Sequence, residues 1–258
     1  MSENEKTQIV LVNGKPHRKQ IILADVNIPY KFSIDRNKNK LFFCINADEF
    51  SEQSFQSVVV DLNSGMVKIV PNIRNGFASA VDQNTGTVYL GGSDGIYEYN
   101  HTTQEVDRPA VVSGVDVFDM HFKDYLYFVE TTNLDLYVLR NSKKTIVYNV
   151  EEYGIYHFAI DGGDNAILAN PNGIFFLSKK AKSPVMFADS IRNIRGITTD
   201  KKGKPYLIAK NGIYLMDQKN LQLFEILPLT DGYGLAFDNN NNIVYSDERS
   251  VIKLTPCN

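Results

Sequence analysis

Six positions spaced about forty residues apart carry the side chains with most to offer a ligand: Tyr30, Phe77, Phe118, Tyr156, Arg195 and Tyr233. They open the strings YKFSID, FASAVD, FDMHFK, YHFAID, RGITTD and YGLAFD, whose starts lie 47, 41, 38, 39 and 38 residues apart. Five aromatic faces and one guanidinium in a shared register suit a planar, conjugated molecule. An aromatic pair contributes about 0.5–1.5 kcal/mol beyond its burial. Arg195 adds five donors in a fixed fork, which can hold a carboxylate through two parallel hydrogen bonds. The competing reading is structural, since aromatics at a repeated position also pack between neighbouring sheets. His157 follows Tyr156, and with His121 it falls on an inner strand, where it either faces a ligand or sits satisfied in the wall. Arg74 and Arg192 occupy comparable loops. The expected ligand-binding set is therefore Tyr30, Phe77, Phe118, Tyr156, His157, Arg195 and Tyr233, with no catalytic and no metal-ligating residue assigned.

The elements that must position these residues repeat with them. Each unit reads as an aromatic, an alternating apolar strand, an Asp, a polar turn, a short apolar strand, and an Asn-Gly or Asp-Gly turn into a third strand. The turn recurs as Asp94-Gly95-Ile96-Tyr97, Asn172-Gly173-Ile174-Phe175 and Asn211-Gly212-Ile213-Tyr214. Such pairs reverse a chain tightly at low steric cost. A period near forty with about four strands per unit is the signature of a β-propeller blade, and six units predict six blades. The first unit carries its extra length in Asn46–Gln56. The last unit lacks a fourth strand, and Gln20–Leu23 is expected to supply it and clasp the ring shut, removing an open sheet edge. The expected organisation is thus an all-β, six-bladed propeller over residues 9–258, closed by an N-terminal strand, with residues 1–8 as a flexible tail.

Other chemistries find less support. Six-bladed lactonases and phosphotriesterases hold calcium with Glu, Asn and Asp from inner strands, because a hard cation wants oxygen ligands. Here the first inner strand opens Asn27-Ile28-Pro29-Tyr30, without a carboxylate. Asp116, Asp119, Glu130, Asn170 and Asp247 could reach a channel but form no recognisable set. The repeated Asp35, Asp82, Asp161, Asp200 and Asp238 read as turn formers. No Ser-His-Asp or Cys-His arrangement and no phosphate-cradling glycine loop appears. With 27 basic and 30 acidic residues the net charge is −3, against the basic excess of a nucleic-acid surface. No apolar run approaches the roughly 18 residues needed to span a bilayer. Two cysteines, Cys44 and Cys257, make no disulfide framework. Asn100-His101-Thr102 is a single glycosylation sequon.

Val10–Gly14 (VLVNG), Leu41-Phe42-Phe43, Ala80-Val81-Asp82, the run Val88–Tyr97 (VYLGGSDGIY) and the ending Pro256-Cys257 resemble the lepidopteran ommochrome-binding proteins over nearly the whole chain. The resemblance implies a secreted, monomeric haemolymph carrier with no required cofactor, binding an ommochrome such as xanthommatin or a related tryptophan-derived, carboxylate-bearing metabolite without catalysis. It also implies a disulfide between the terminal cysteine and one just before the VLVNG run, where this chain has Gln8-Ile9. The amino terminus MSENEKTQ has no signal-peptide core, which fits either an intracellular protein or a chain whose leader has been removed. A calcium-dependent lactonase or esterase, and a propeller that binds a partner protein, are the alternative readings.

Overall fold

The computed structural model describes residues 8–257, and every element among them is a strand. The first blade shows the plan. Strand β3 (Tyr30–Asp35) runs down the centre, β4 (Lys40–Asn46) returns, β5 (Phe55–Asp61) follows, and β6 (Val67–Ile69) lies outermost, all antiparallel. The next four blades repeat it from inner strands Ala78–Val81, Val117–Lys123, His157–Ile160 and Ile194–Thr199. In the second blade the outer strand is broken into Glu105–Val106 and Val112–Ser113, both paired with Gly95–Asn100.

Blade six is assembled from both ends of the chain. Leu235–Phe237, Ile243–Ser246 and Val251–Pro256 form its inner three strands, and β2 (Lys15–Leu23) pairs with the last of them from His17↔Pro256 to Leu23↔Val251. The expected clasp at Gln20–Leu23 is present and longer than anticipated. A strand β1 (Gln8–Val12) adds a fifth member outside it through Asn13-Gly14, both at positive φ, the conformation such two-residue turns use. Gln8, expected in the flexible tail, pairs with Lys19; the rest of that expectation lies outside the described residues. Cys44 and Cys257 are both free.

The strand alternation dictates where the core sits. Side chains of each sheet point up and down its faces, and each face meets the neighbouring blade. Phe42 and Val59 of blade one thus pack with Val88, Leu90 and Tyr97 of blade two, and the same arrangement recurs at the other five junctions. Phe42 and Phe128 are fully buried, each contributing about 2–3 kcal/mol.

The repeated Asp residues shape the turns at the bottom of the inner strands. Oδ1 of Asp161 accepts from Gly163 and Asn165, that of Asp200 from Lys202 and Lys204, and that of Asp238 from Asn240 and Asn242. Asp35 and Asp82 close similar turns. The carboxylates therefore serve the backbone. Their opposite ends of the inner strands, where Tyr30 and its counterparts stand, are left to line the mouth.

Candidate functional site

The repeat places its six ring-register residues around one mouth, and contacts run between them from blade to blade. Ring centroids are 5.5 Å apart for Tyr233 and Tyr30, 6.1 Å for Tyr30 and Phe77, 5.7 Å for Phe77 and Phe118, and 5.9 Å for Phe118 and Tyr156. The Arg195 guanidinium lies 3.7 Å from the Tyr233 ring centroid. Among the described residues no stacking or cation–π contact joins Tyr156 to Arg195. The pairs are mostly tilted or edge-on, so ring faces are not consumed by one another. None of the five aromatics is buried, and Tyr156 is 37% exposed. Below them a channel of about 410 Å³ follows the inner strands, lined by Arg195 and Tyr233 at its upper end and by Arg36 and Asp200 farther down.

Arg195 is already held in place. Its Nη1 donates to Asp231 at 2.6 Å and to the Gly232 carbonyl at 3.1 Å. The charge is thus partly answered by the protein, and only the remaining donors of the fork are open to a ligand. Phe55 joins the ring from the extra length of the first blade, 4.6 Å from Phe77 and 6.3 Å from Tyr30. Its approach is anchored by Asn75, whose Oδ1 accepts from the Ser54 amide while its own amide donates to Gln53.

Under Phe77 and Phe118 lies a charged cluster that the repeat does not announce. Lys31 Nζ sits 5.6 Å and 4.8 Å from those ring centroids, 3.0 Å from Asp119 Oδ1 and 3.1 Å from His157 Nδ1. The Lys31 and Asp119 side chains are 6% and 12% exposed. Burial, and then the Lys31 charge, hold the His157 imidazole below its usual value, so its Nδ1 accepts from the ammonium. Burial works against the Asp119 carboxylate, but Lys31 and His157 together outweigh it and keep its pKa below the ordinary carboxylate value. His157, expected to face a ligand directly, is thereby engaged from one side by Lys31.

Backbone irregularities create this arrangement. Three inner strands slip register, at Tyr30/Ser33, Val117/Asp119 and Ile194/Gly196, and the residues inside those slips include Lys31, Phe118 and Arg195. A bulge inserts a residue and re-aims the side chains beside it, which is why bulges gather at functional sites. Lys31 is also at φ +53°, a left-handed conformation uncommon for a non-glycine residue. Nothing in the string YKFSID marks the slip, because a bulge depends on the partner strand. The only visible signal was an extra unit of polar character, Lys31 and Asp119 beside ring aromatics.

The remaining candidates do not converge on a metal. Glu130 pairs with Lys144, Asn170 donates to the Tyr153 carbonyl, and Asp247 accepts from Arg249 and Ser250 amides. Among the described residues no three His, Cys, Asp or Glu side chains are grouped to hold an ion.

His121 lies in the channel wall, against the Ile160 carbonyl at 3.0 Å. Burial holds its imidazole down to about 4, although the carbonyl and Asp119 favour the charged form. The unfolded chain, with an ordinary value near 6.5, therefore binds the extra proton first as pH falls. Stability from this site is present above about pH 6.5 and is lost toward pH 4, by at most about 3 kcal/mol. Urea midpoints should drop across that window, and His121→Gln should flatten the drop. An identical slope in the variant would show the histidine to be irrelevant.

Fold and site together define a six-bladed β-propeller with an aromatic mouth above a polar channel. Its shape matches a gluconolactonase from Xanthomonas campestris, with a TM-score of 0.73 at 10% identity over 97% of this chain and 98% of that one. A putative gluconolactonase gives a TM-score of 0.74 at 8% identity, covering 96% and 98%. At such identities the likeness is one of fold. In sequence the chain is similar to the ommochrome-binding protein of Manduca sexta, 27% identical over 251 residues that cover 96% of this chain and 90% of that protein. No family model matches the chain. The resemblance to ommochrome-binding proteins drawn from the residues is thus borne out along the whole propeller.

Proposed function

We propose that the protein is a non-catalytic carrier that binds an ommochrome-type pigment, or a related planar tryptophan metabolite, at the mouth of the central channel. The observation that carries this reading is the chain of contacts from Arg195 through Tyr233, Tyr30, Phe77 and Phe118 to Tyr156. It presents half-exposed π-faces around an opening, where stacking can reward a flat ligand. The similarity to a protein named for ommochrome binding supports the same ligand class; a secreted, haemolymph setting and a monomeric state are part of the same proposal. Arg195 answers an acidic group with the part of its fork that Asp231 leaves free, and His157 braces the floor.

The chain has no tryptophan, so its emission comes from tyrosine, including the three at the mouth. Titration with xanthommatin is expected to quench that emission and shift the pigment's absorbance. Phe118→Ala should weaken binding up to about tenfold, the equivalent of about 1.4 kcal/mol. Unchanged emission together with an unshifted pigment spectrum would remove the proposal. An esterase-type activity has the neighbours' shape in its favour and no specific residue behind it.

A further inference from the structure

We infer that the floor of the mouth is a recognition site for the zwitterionic end of a free aromatic α-amino acid, with Lys31 taking the carboxylate and Asp119 the ammonium. The inference rests on the pigment-carrier reading and narrows its ligand class. Both side chains line the channel directly beneath the aromatic mouth. Each is only partly satisfied by the protein. Lys31 spends two of its three N–H groups, on Asp119 Oδ1 and His157 Nδ1. Asp119 Oδ1 also accepts from the Met120 amide, whereas Oδ2 faces His157 Nδ1 at 3.5 Å, a nitrogen that accepts from Lys31 and therefore has no proton to give it. One donor of a cation and one oxygen of an anion thus remain open, side by side.

The cost of the arrangement argues that it has a use. Bringing two charges out of water is offset only when their remaining hydrogen-bonding capacity is met. A left-handed lysine inside a strand bulge is a further departure from what a blade needs, and strain of this sort collects where function demands it. A second bulge, at Val117/Asp119, places the acid opposite. A ligand bearing only a carboxylate would leave Asp119 uncompensated, and one bearing only an amine would leave Lys31 so. A zwitterion satisfies both, and its aromatic part then reaches Phe77 and Phe118. Lone cationic or anionic ligands are therefore disfavoured by the same pair that holds the complete amino acid.

The experiment compares three ligands on the full chain by calorimetry and absorbance: L-kynurenine, the same molecule without its carboxylate, and the same molecule without its α-amine. Kynurenine should bind at least tenfold more tightly than either analogue. Asp119→Asn should shrink its advantage over the deaminated acid, and Lys31→Met its advantage over the decarboxylated amine. Because either variant could unfold, the ligand series on the unmodified protein decides by itself. Equal affinity for all three, with xanthommatin still bound, would overturn the inference and leave the carrier reading standing. No binding of any of them, xanthommatin included, would overturn both.

Discussion

Lys31→Ala is expected to lower stability by about 3–5 kcal/mol, a large share of what holds a domain of this kind together. The loss is not that of one favourable contact. Removing the ammonium strands the Asp119 carboxylate, 12% exposed, beside a neutral imidazole. A buried carboxylate without a counter-charge shifts upward and takes a proton instead. The deficit should consequently be larger at pH 7 than at pH 5, where protonating Asp119 becomes easy. Replacing both partners, as Lys31→Met with Asp119→Leu, should recover most of the stability, since an apolar pair of similar volume has no desolvation to offset. Urea unfolding of the two single variants and the double gives the coupling. A Lys31→Ala midpoint equal to that of the unmodified protein would show that water reaches the cluster and answers the Asp119 charge.

The second large effect concerns closure. Deleting residues 8–23 removes β1 and β2, exposes the edge of Val251–Pro256 and leaves the sixth blade with three strands. Val12 leaves the cluster between blades five and six, and Ile22 and Leu23 leave the one between blades six and one. The hydrogen bond from the Asn13 amide to the Ile226 carbonyl is lost as well. Val12 is well buried and carries about 1.5–3 kcal/mol, and Ile22 and Leu23, partly buried, carry less each; with the lost strand pairing the sum is a large part of an ordinary domain's stability. The truncated chain should show no cooperative thermal transition by circular dichroism and should self-associate through its new edge. Supplying residues 8–23 as a peptide should restore a transition. A truncated protein that melts cooperatively near the original temperature would mean that the ring closes without its clasp.

Both effects bear on how far the sequence could be read. The sixfold phrase specified the blades, because a blade is built from local hairpins whose turns have a chemistry of their own. Asp161 and Asp238 were legible as turn formers for the same reason. The hairpin of β1 and β2 was legible too, in the Asn13-Gly14 pair between VLV and KPH, though only β2 was anticipated. Lys31 was not legible. Strand alternation read from Tyr30 and Phe32 says nothing about a slip against β4, and the slip is what directs the ammonium beneath two aromatic rings. Asp119 reads in the sequence only as one of several scattered carboxylates, since its partner comes from a blade far away in sequence. Phe55 was hidden in an extension that looked like a mere insertion. The frame was written locally; the floor of the site was written in pairings between distant segments.

The clasp also determines where the ring can part. Residues 24–29 carry the chain from β2 into β3, so the ring can part only where β2 pairs with Val251–Pro256. Once that pairing opens, the inner strands of blades one and six are held by non-covalent contacts alone: the Ser246 hydroxyl donates to the Pro29 carbonyl, Gly234 leaves room for the Phe32 ring, and Tyr30 stands against Tyr233. That joint runs through the mouth itself. A molecule lying across Tyr30 and Tyr233 would bridge the two chain ends like a dowel, so that occupancy and closure become a single equilibrium. With the mouth empty, the ring would be at its most exposed to opening and proteolysis. Cargo would then govern the lifetime of its own container.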